Sequence, residues 1–175
     1  LQKINYLDED IIKNNIKTNN IGIDIINNTL INNKINNKQI FTDNLSDAIE
    51  NNLFGCANYF NKIIPENKNE FILNNKTYFK KGFFLNLDDN TNIKDPIYLN
   101  NLIDTNNLES FLTFRYLLQF GKNNNAKIIL KNSFIKKLKL NSVIEVLIDE
   151  NSTVDIIIES EAKNVTQILN FAANI

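Results

Sequence analysis

Between residues 83 and 160 short apolar runs recur, each cut off by a polar turn. The runs are FFLNL, PIYLNNLI, FLTFRYLLQF, AKIILKNSF, SVIEVLI and TVDIIIES, and they are divided by DDNTN, DTNNLES, GKNNN and DENS. They are rich in β-branched and aromatic residues and too short for packed helices, so they predict strands. The upstream half reads differently. IGIDIINNTLINNKI alternates around Asn27-Asn28 and predicts a small hairpin. NLSDAIENNLFGCANYFNKII predicts a helix with Ser46 as N-cap, Asp47 and Glu50 near its positive end, and Gly55 dividing it in two. PENKNEFILNNKTYFKKG predicts a second helix. Pro65 suits its first turn, and Phe71, Ile72, Asn75 and Phe79 share a face. Lys80 and Lys81 suit its negative end, and Gly82 is expected as a left-handed cap. Residues 1–20 are polar with scattered isoleucines and are read as a helix. The expected division is an N-terminal region of short strands and helices over 1–82, then a strand-built core over 83–175.

Within that core the pattern repeats. GKNNNAKIILKNSF aligns with DENSTVDIIIESEA, so that Ala126 falls on Val154, and DDNTNIKDPIYLNN is a looser third copy. A strand-and-turn period in the twenties to thirties indicates units that bury an apolar face on their neighbours. FFLNL and PIYLNNLI are then strands on either side of a corner, not partners in a hairpin. Ile128, Leu130, Ile156 and Ile158 are expected to share one interior, with residues 126–134 and 153–160 paired in parallel. The competing arrangement is an antiparallel sandwich.

Composition narrows the setting. The chain has 175 residues, 43% hydrophobic, with a net charge of −1, enough for one sizeable core or two small ones. So even a balance argues against a surface for nucleic acid or anionic membrane, which needs clustered positive charge. The lysines at 136, 137 and 139 read as a solvated turn. Asparagine, isoleucine and lysine dominate, and Arg115 is the only arginine, a bias expected of an AT-rich genome. Apolar runs interrupt the asparagines throughout, so they are not read as prion-like. A single cysteine, Cys56, allows no internal disulfide, and LQKINYLDED lacks a basic start followed by a long apolar stretch; both suit a cytoplasmic protein. No apolar run is long enough for a membrane-spanning helix. The lack of methionine, the start at Leu1 and the end in mid-pattern on ILNFAANI lead us to expect a fragment of a larger protein.

Candidate chemistry is sparse. The chain has no histidine, which removes Ser-His-Asp and Cys-His sites and imidazole-based zinc sites. Cys56 alone cannot build a thiolate metal site and reads as a small buried residue. FGKNNN lacks the upstream glycine and the following Ser/Thr of a phosphate loop. Asp149, Glu150, Asp155, Glu159 and Glu161 fall at turns or alternate polar positions, as on a solvated face rather than in a paired acid–base site. No catalytic, cofactor-binding or metal-ligating residue is assigned, and a non-enzyme is expected.

One ordered series of residues does carry a family likeness. NEFILNNKTYFKKGFFLNLDDNTNIKDPIYL resembles the SufB/SufD family of iron–sulfur cluster assembly proteins. That family shows an F-x-x-L-N helix, an aromatic, a glycine, a short apolar strand, a polar bend and a Lys-x-Pro-Ile strand. Phe71, Leu73, Asn74, Phe79, Gly82, Phe84, Pro96 and Ile97 stand at matching places, with looser spacing inside the helix. FRYLLQFGKNNNAKIILKNSF is similar to the family's next strand, turn and strand through Arg115 and Ala126, and SVIEVLIDENSTVDIIIESEAKNVTQI through Glu145 and Asn151. IDIINNTLINNKI is similar to the family's short strand–turn–strand. The likeness covers about residues 21–175. It is closer to SufD than to SufB, since no glycine- and cysteine-containing segment follows Arg115.

The resemblance implies an α+β, mainly β fold: a helical N-terminal region followed by the first turns of a right-handed parallel β-helix. It also implies a non-ATPase scaffold working with SufB-like and SufC-like proteins. The cluster is handled by the full complex, with no cofactor held by this fragment and neither nucleic acid nor membrane as partner. The family's cluster-ligand residues and SufC-contacting helices lie in a C-terminal half that this chain lacks, so no site residue carries over. A β-helix carbohydrate-active enzyme and a purely structural repeat protein are the alternatives.

Overall fold

A computed structural model describes residues 22–27, 29–64, 69–79, 81–103, 111–135, 137–161 and 165–175. Among the described residues ten strands form two five-stranded sheets. The first region supplies β1 (Gly22–Ile26), β2 (Thr29–Asn33) and β3 (Ile40–Asn44). The rest are β4 (Lys81–Leu87), β5 (Ile97–Ile103), β6 (Phe111–Phe120), β7 (Asn125–Phe134), β8 (Leu138–Ile148), β9 (Thr153–Glu161) and β10 (Val165–Asn174). One sheet runs β2-β1-β5-β7-β9 and the other β10-β8-β6-β4-β3. From β4 onward consecutive strands alternate between the sheets, and within each sheet every strand lies parallel to the one two before it. FFLNL and PIYLNNLI therefore lie in different sheets and do not pair.

The register matches the repeat. Ala126 pairs with Val154, Ile128 with Ile156 and Leu130 with Ile158, in parallel and at the offset of the aligned copies. The antiparallel sandwich is excluded for these strands. In the other sheet Phe83, Tyr116, Ile144 and Phe171 form one row and Leu85, Leu118, Val146 and Ala173 the next. Because side chains alternate across a strand, these rows point inward, and as far as Ile144 and Val146 they build the main core together with Ile23, Ile25, Leu99 and Ile103. The length of chain between partners is not constant. From β4 onward it is longest from Phe83 to Tyr116, shorter from Ile97 to Ile128, shorter again from Tyr116 to Ile144, and shortest from Ile144 to Phe171.

The two ends of this stack differ. At the first, β1 extends its sheet in parallel beside β5, but β2 turns back antiparallel on β1 and β3 runs antiparallel to β4. The predicted hairpin is present, with Asn27 at φ +49°. At the other end β9 and β10 are edge strands of their sheets.

Helices cover the outer face of the second sheet. Helix α1 (Leu45–Glu50), a 3-10 segment (Leu53–Asn58) and helix α2 (Glu70–Tyr78) lie there. Leu45, Ala48 and Cys56 pack on Phe84 and Leu117, and Ile64 and Ile72 pack on Val143. Several local expectations need correction. Asn44, not Ser46, holds the N-cap position of α1, because β3 runs directly into the helix. Asp47 sits in the first turn as expected, but the helix has only six residues, which puts Glu50 at its negative end. Gly55 does mark the division, with φ +69° beside Phe54 at +50°. Helix α2 starts later than the sequence suggests, at Glu70, where the side chain of Asn69 accepts from the Phe71 N–H at 2.8 Å. Ile72 and Asn75 are its buried positions, with Phe71 and Phe79 half-buried. The helix ends at Tyr78, and Gly82 is no cap: it lies inside β4, as does Lys81. A Cβ on Gly82 would come within 2.6 Å of the Arg115 carbonyl and 2.9 Å of the Leu45 Cβ. Glycine is required there for close approach of strand and helix, not for a left-handed turn. The helix read over residues 1–20, Pro65, Lys80 and Lys136 lie outside the described residues. Among the described residues no helix is long and apolar enough to cross a membrane.

Candidate functional site

The strongest polar constellation lies between the second sheet and its helical cover. Arg115 on β6 and Glu145 on β8 are 1% and 0% exposed, yet both belong to runs that are otherwise mostly apolar. Arg115 donates to Glu145 Oε2 through Nε at 3.1 Å and Nη2 at 2.9 Å, and its guanidinium lies 4.8 Å from the Phe60 ring centroid. Nη1 reaches Asn75 Oδ1 at 3.5 Å. Glu145 also accepts from the backbone N–H groups of Asn61 at 3.3 Å and Ile64 at 3.4 Å. Asn75, from α2, donates to the carbonyls of Phe114 and Asn141, both at 2.9 Å, and Asn141 donates to the Phe71 carbonyl at 2.7 Å. The network therefore fastens helix α2 and the segment through residues 61–64 onto four strand positions, Phe114 and Arg115 on β6 and Asn141 and Glu145 on β8. Glu145 is shut away from solvent and committed to Arg115 and two amides, so the arrangement is a clamp and presents no free acid or base to a substrate. A buried pair of this kind is weak evidence for net stability, but removal of one partner leaves an uncompensated charge.

A second polar feature runs along the corners that follow β4, β6 and β8. Asn90, Asn123 and Asn151 all take the left-handed conformation, with φ of +61°, +56° and +58°. They stack: Asn123 Nδ2 donates to Asn90 Oδ1 at 3.0 Å, and Asn151 Nδ2 to Asn123 Oδ1 at 3.3 Å. Asparagine tolerates this conformation better than most residues. Backbone bonds run the opposite way, from Asn90 N–H to the Lys122 carbonyl and from Asn123 N–H to the Glu150 carbonyl. Lys122 Nζ meets Glu150 at 2.9 Å, and that hydrogen bond with the neighbouring carboxylates raises the lysine's pKa. Inside the core Asn101 Nδ2 donates to the Tyr116 hydroxyl at 2.9 Å and to Asn132 Oδ1 at 3.2 Å. Burial holds the Tyr116 phenol well above its usual pKa.

The residues singled out in the sequence fall into separate places. Cys56 is buried, with its thiol donating to the Ala48 carbonyl at 3.1 Å and its pKa raised by desolvation. Asp149, Glu150, Asp155, Glu159 and Glu161 lie at the corner or along β9, on the outside of the molecule, and Glu161 pairs with Lys131 at 2.9 Å. Of the residues that carry the family likeness, Gly82, Phe84, Arg115 and Glu145 lie beneath the helical cover, Arg115 and Glu145 as partners, whereas Ile97 and Ala126 enter the core and Asn151 ends the corner ladder. Leu73 and Asn74 are exposed on α2. Reading the sequence matched Arg115 and Glu145 singly and missed their partnership. The signal was available: a lone arginine in FLTFRYLLQF and a lone glutamate in SVIEVLI are charges in apolar runs, and such charges are buried only when paired. Among the described residues no group of three or more Cys, Asp or Glu is placed to hold a metal ion. No protein-family model and no curated protein sequence matches this chain.

Proposed function

We propose that the chain is part of a SufD-like, non-ATPase scaffold subunit of an iron–sulfur cluster assembly complex, working in the cytoplasm with SufB-like and SufC-like partners. Its alternating strands are then the first turns of a right-handed parallel β-helix. The observation that carries the reading is the ordered sequence likeness from Phe71 to Asn151. Two things support it. The parallel pairing of every second strand is the arrangement such a β-helix needs. Arg115 and Glu145, two residues of the likeness, are each other's buried partners. A scaffold role also suits a chain whose buried charges are spent on internal fastening.

The test is co-purification of the full-length protein with a SufB-like protein and an ABC-type ATPase of the SufC kind. Iron, sulfide and ATPase assays on this chain alone accompany it. Association with both partners, with neither stoichiometric cluster nor ATP hydrolysis by the chain itself, is expected. Failure of the intact protein to bind either partner, or a stoichiometric cluster on the isolated chain, overturns the proposal.

A further inference from the structure

An edge strand offers backbone groups to a further strand, and β9 offers them in a chemically selective setting. The Thr153 N–H donates to the Asn124 carbonyl, on the β7 side. Successive residues of a strand direct their backbone groups to opposite sides. The N–H and C=O groups of Val154, Ile156, Ile158 and Ser160 therefore point to the free edge. The side chains of Val154, Ile156 and Ile158 pack against the main core and are half-buried. Edge strands are commonly blunted by proline, a bulge, an inward charge or very short length. β9 has none of these, and runs for nine residues in unbroken register with β7.

The outer side of β9 supplies the selectivity. Asp155, Ile157 and Glu159 alternate there, in register with Lys127, Ile129 and Lys131 of β7. Ile157 is 38% exposed. Lys131 Nζ lies 2.9 Å from Glu161, and neither Asp155 nor Glu159 makes an ion pair among the described residues. One side of β9 thus shows what kind of strand fits it: two lysines four residues apart around three large aliphatic residues. The other side presents the same row of acid, aliphatic and acid, and no described strand lies along it. β10, the edge of the other sheet, carries no charge on its outer row of Ile168, Asn170 and Ala172. A second copy pairing β9 with β9 would set carboxylate against carboxylate, which is destabilising. We propose that β9 is a docking edge for an extended, lysine-bearing segment of a separate partner protein, with two lysines four residues apart around aliphatic residues. Its backbone bonds to the four free positions, and its lysines lie beside Asp155 and Glu159. Its middle side chain covers Ile157, and the two flanking ones cover Ile156 and Ile158. This inference goes beyond the assembly proposal and does not depend on it, so partner co-purification and the experiment below can fail independently.

The probe is acetyl-AKIILKNSF-amide, which copies residues 126–134, added to the intact protein while amide hydrogen exchange is followed residue by residue. A second peptide has both lysines replaced by glutamate. The lysine peptide is expected to slow exchange at Val154, Ile156, Ile158 and Ser160 and to leave β10 unchanged. At low ionic strength it should bind at least about tenfold more tightly than the glutamate peptide, an advantage that shrinks as salt is added. Asp155→Lys with Glu159→Lys, both on the solvent side of the strand, should reverse the preference; the comparison of the two peptides on the unsubstituted protein stands whether or not that variant folds. The inference is overturned by absence of binding, by equal binding of the two peptides, by protection confined to β10, or by an unchanged preference in the folded variant. It is overturned equally by protection of the four amides before any peptide is added, which would mean that the edge is already covered, by a second copy or otherwise.

Discussion

The first and last layers of the strand stack are built from similar apolar residues and are treated by the fold in opposite ways. At the first end the side chains of Phe83, Leu85, Leu99 and Ile103 are fully buried. There β2 and β3 run antiparallel and close the stack, and helices cover one outer face. At the last end Ile156 and Ile158 are half-buried and Phe171 is 48% exposed, although their register partners Ile128, Leu130 and Ile144 are inside. Composition does not separate the two ends. Among the described residues, what separates them is that a further strand lies alongside β4 and β5 to take up backbone hydrogen bonds and cover the inward row, while β9 and β10 each have a neighbour on one side.

The largest expected effect sharpens this contrast by removing the fastening of the cover. Glu145→Ala strands the Arg115 guanidinium in the interior and should cost about 3–5 kcal/mol, read by urea unfolding. Exchange of amides in residues 53–64 should quicken, while β9 should be affected no more than the global loss of stability requires. Replacing the pair together, as Arg115→Met with Glu145→Leu, should recover most of the loss. If the single and double variants are equally unstable, the clamp is not electrostatic.

A smaller effect tests the layers directly. Leu99→Ala, at a fully buried position, should cost about 2–5 kcal/mol. Ile158→Ala in β9 removes an equivalent inward side chain from a half-open site and should cost less than half as much. Equal costs would mean that the last layer is covered in solution. Native-state hydrogen exchange gives the same comparison without mutation: amides of β4 and β6 should be among the most protected and those of β10 among the least. Strong protection of residues 165–174 in a monomer contradicts the open end.

The smallest effect concerns pH. The folded-state pKa of Tyr116 is raised, so its neutral phenol contributes fully below the unfolded value of about 10 and that contribution is lost as pH rises above it. Wild-type stability should therefore fall more steeply than that of Tyr116→Phe on the alkaline side of pH about 10. The variant should also lose about 1 kcal/mol at neutral pH with the Asn101 hydrogen bond. Parallel pH profiles would show that Tyr116 is not the group responsible.

Strands β4 to β9 are legible in the sequence because their apolar runs are long, β-branched and cleanly bounded. The match of Ala126 to Val154 in the aligned copies also gives the parallel register of β7 and β9. β3 is less legible: IFTDN is short, and its pairing with β4 depends on residues far along the chain. β10 escapes because Gln167, Asn170 and two alanines blur its alternation. Gly82 shows the limit of local rules, since a glycine after a helix and two lysines reads as a cap, and only the nearness of Leu45 and Arg115 reveals its other use. Of the buried clamp, the residue types are visible as charges in apolar runs. Which charge meets which is set by diagonal neighbours on β6 and β8, and that depends on register.

The unequal spacing of the register rows has a consequence for how such a chain can change over generations. The length of chain between partners differs from one layer to the next, yet the strands remain in step. Much of the difference sits in the connections: the one from Ile103 to Phe111 is longer than the one from Phe134 to Leu138. Lengthening a loop adds closure entropy only slowly, about 0.6 kcal/mol per doubling. Insertions and deletions between strands are thus nearly neutral to the architecture, while a single residue gained or lost within a strand turns every following side chain of that strand inside out. Genetic variation in length should accumulate at the connections and be purged from the strands, leaving a lineage whose members differ in loop size around an unaltered ladder of asparagine corners.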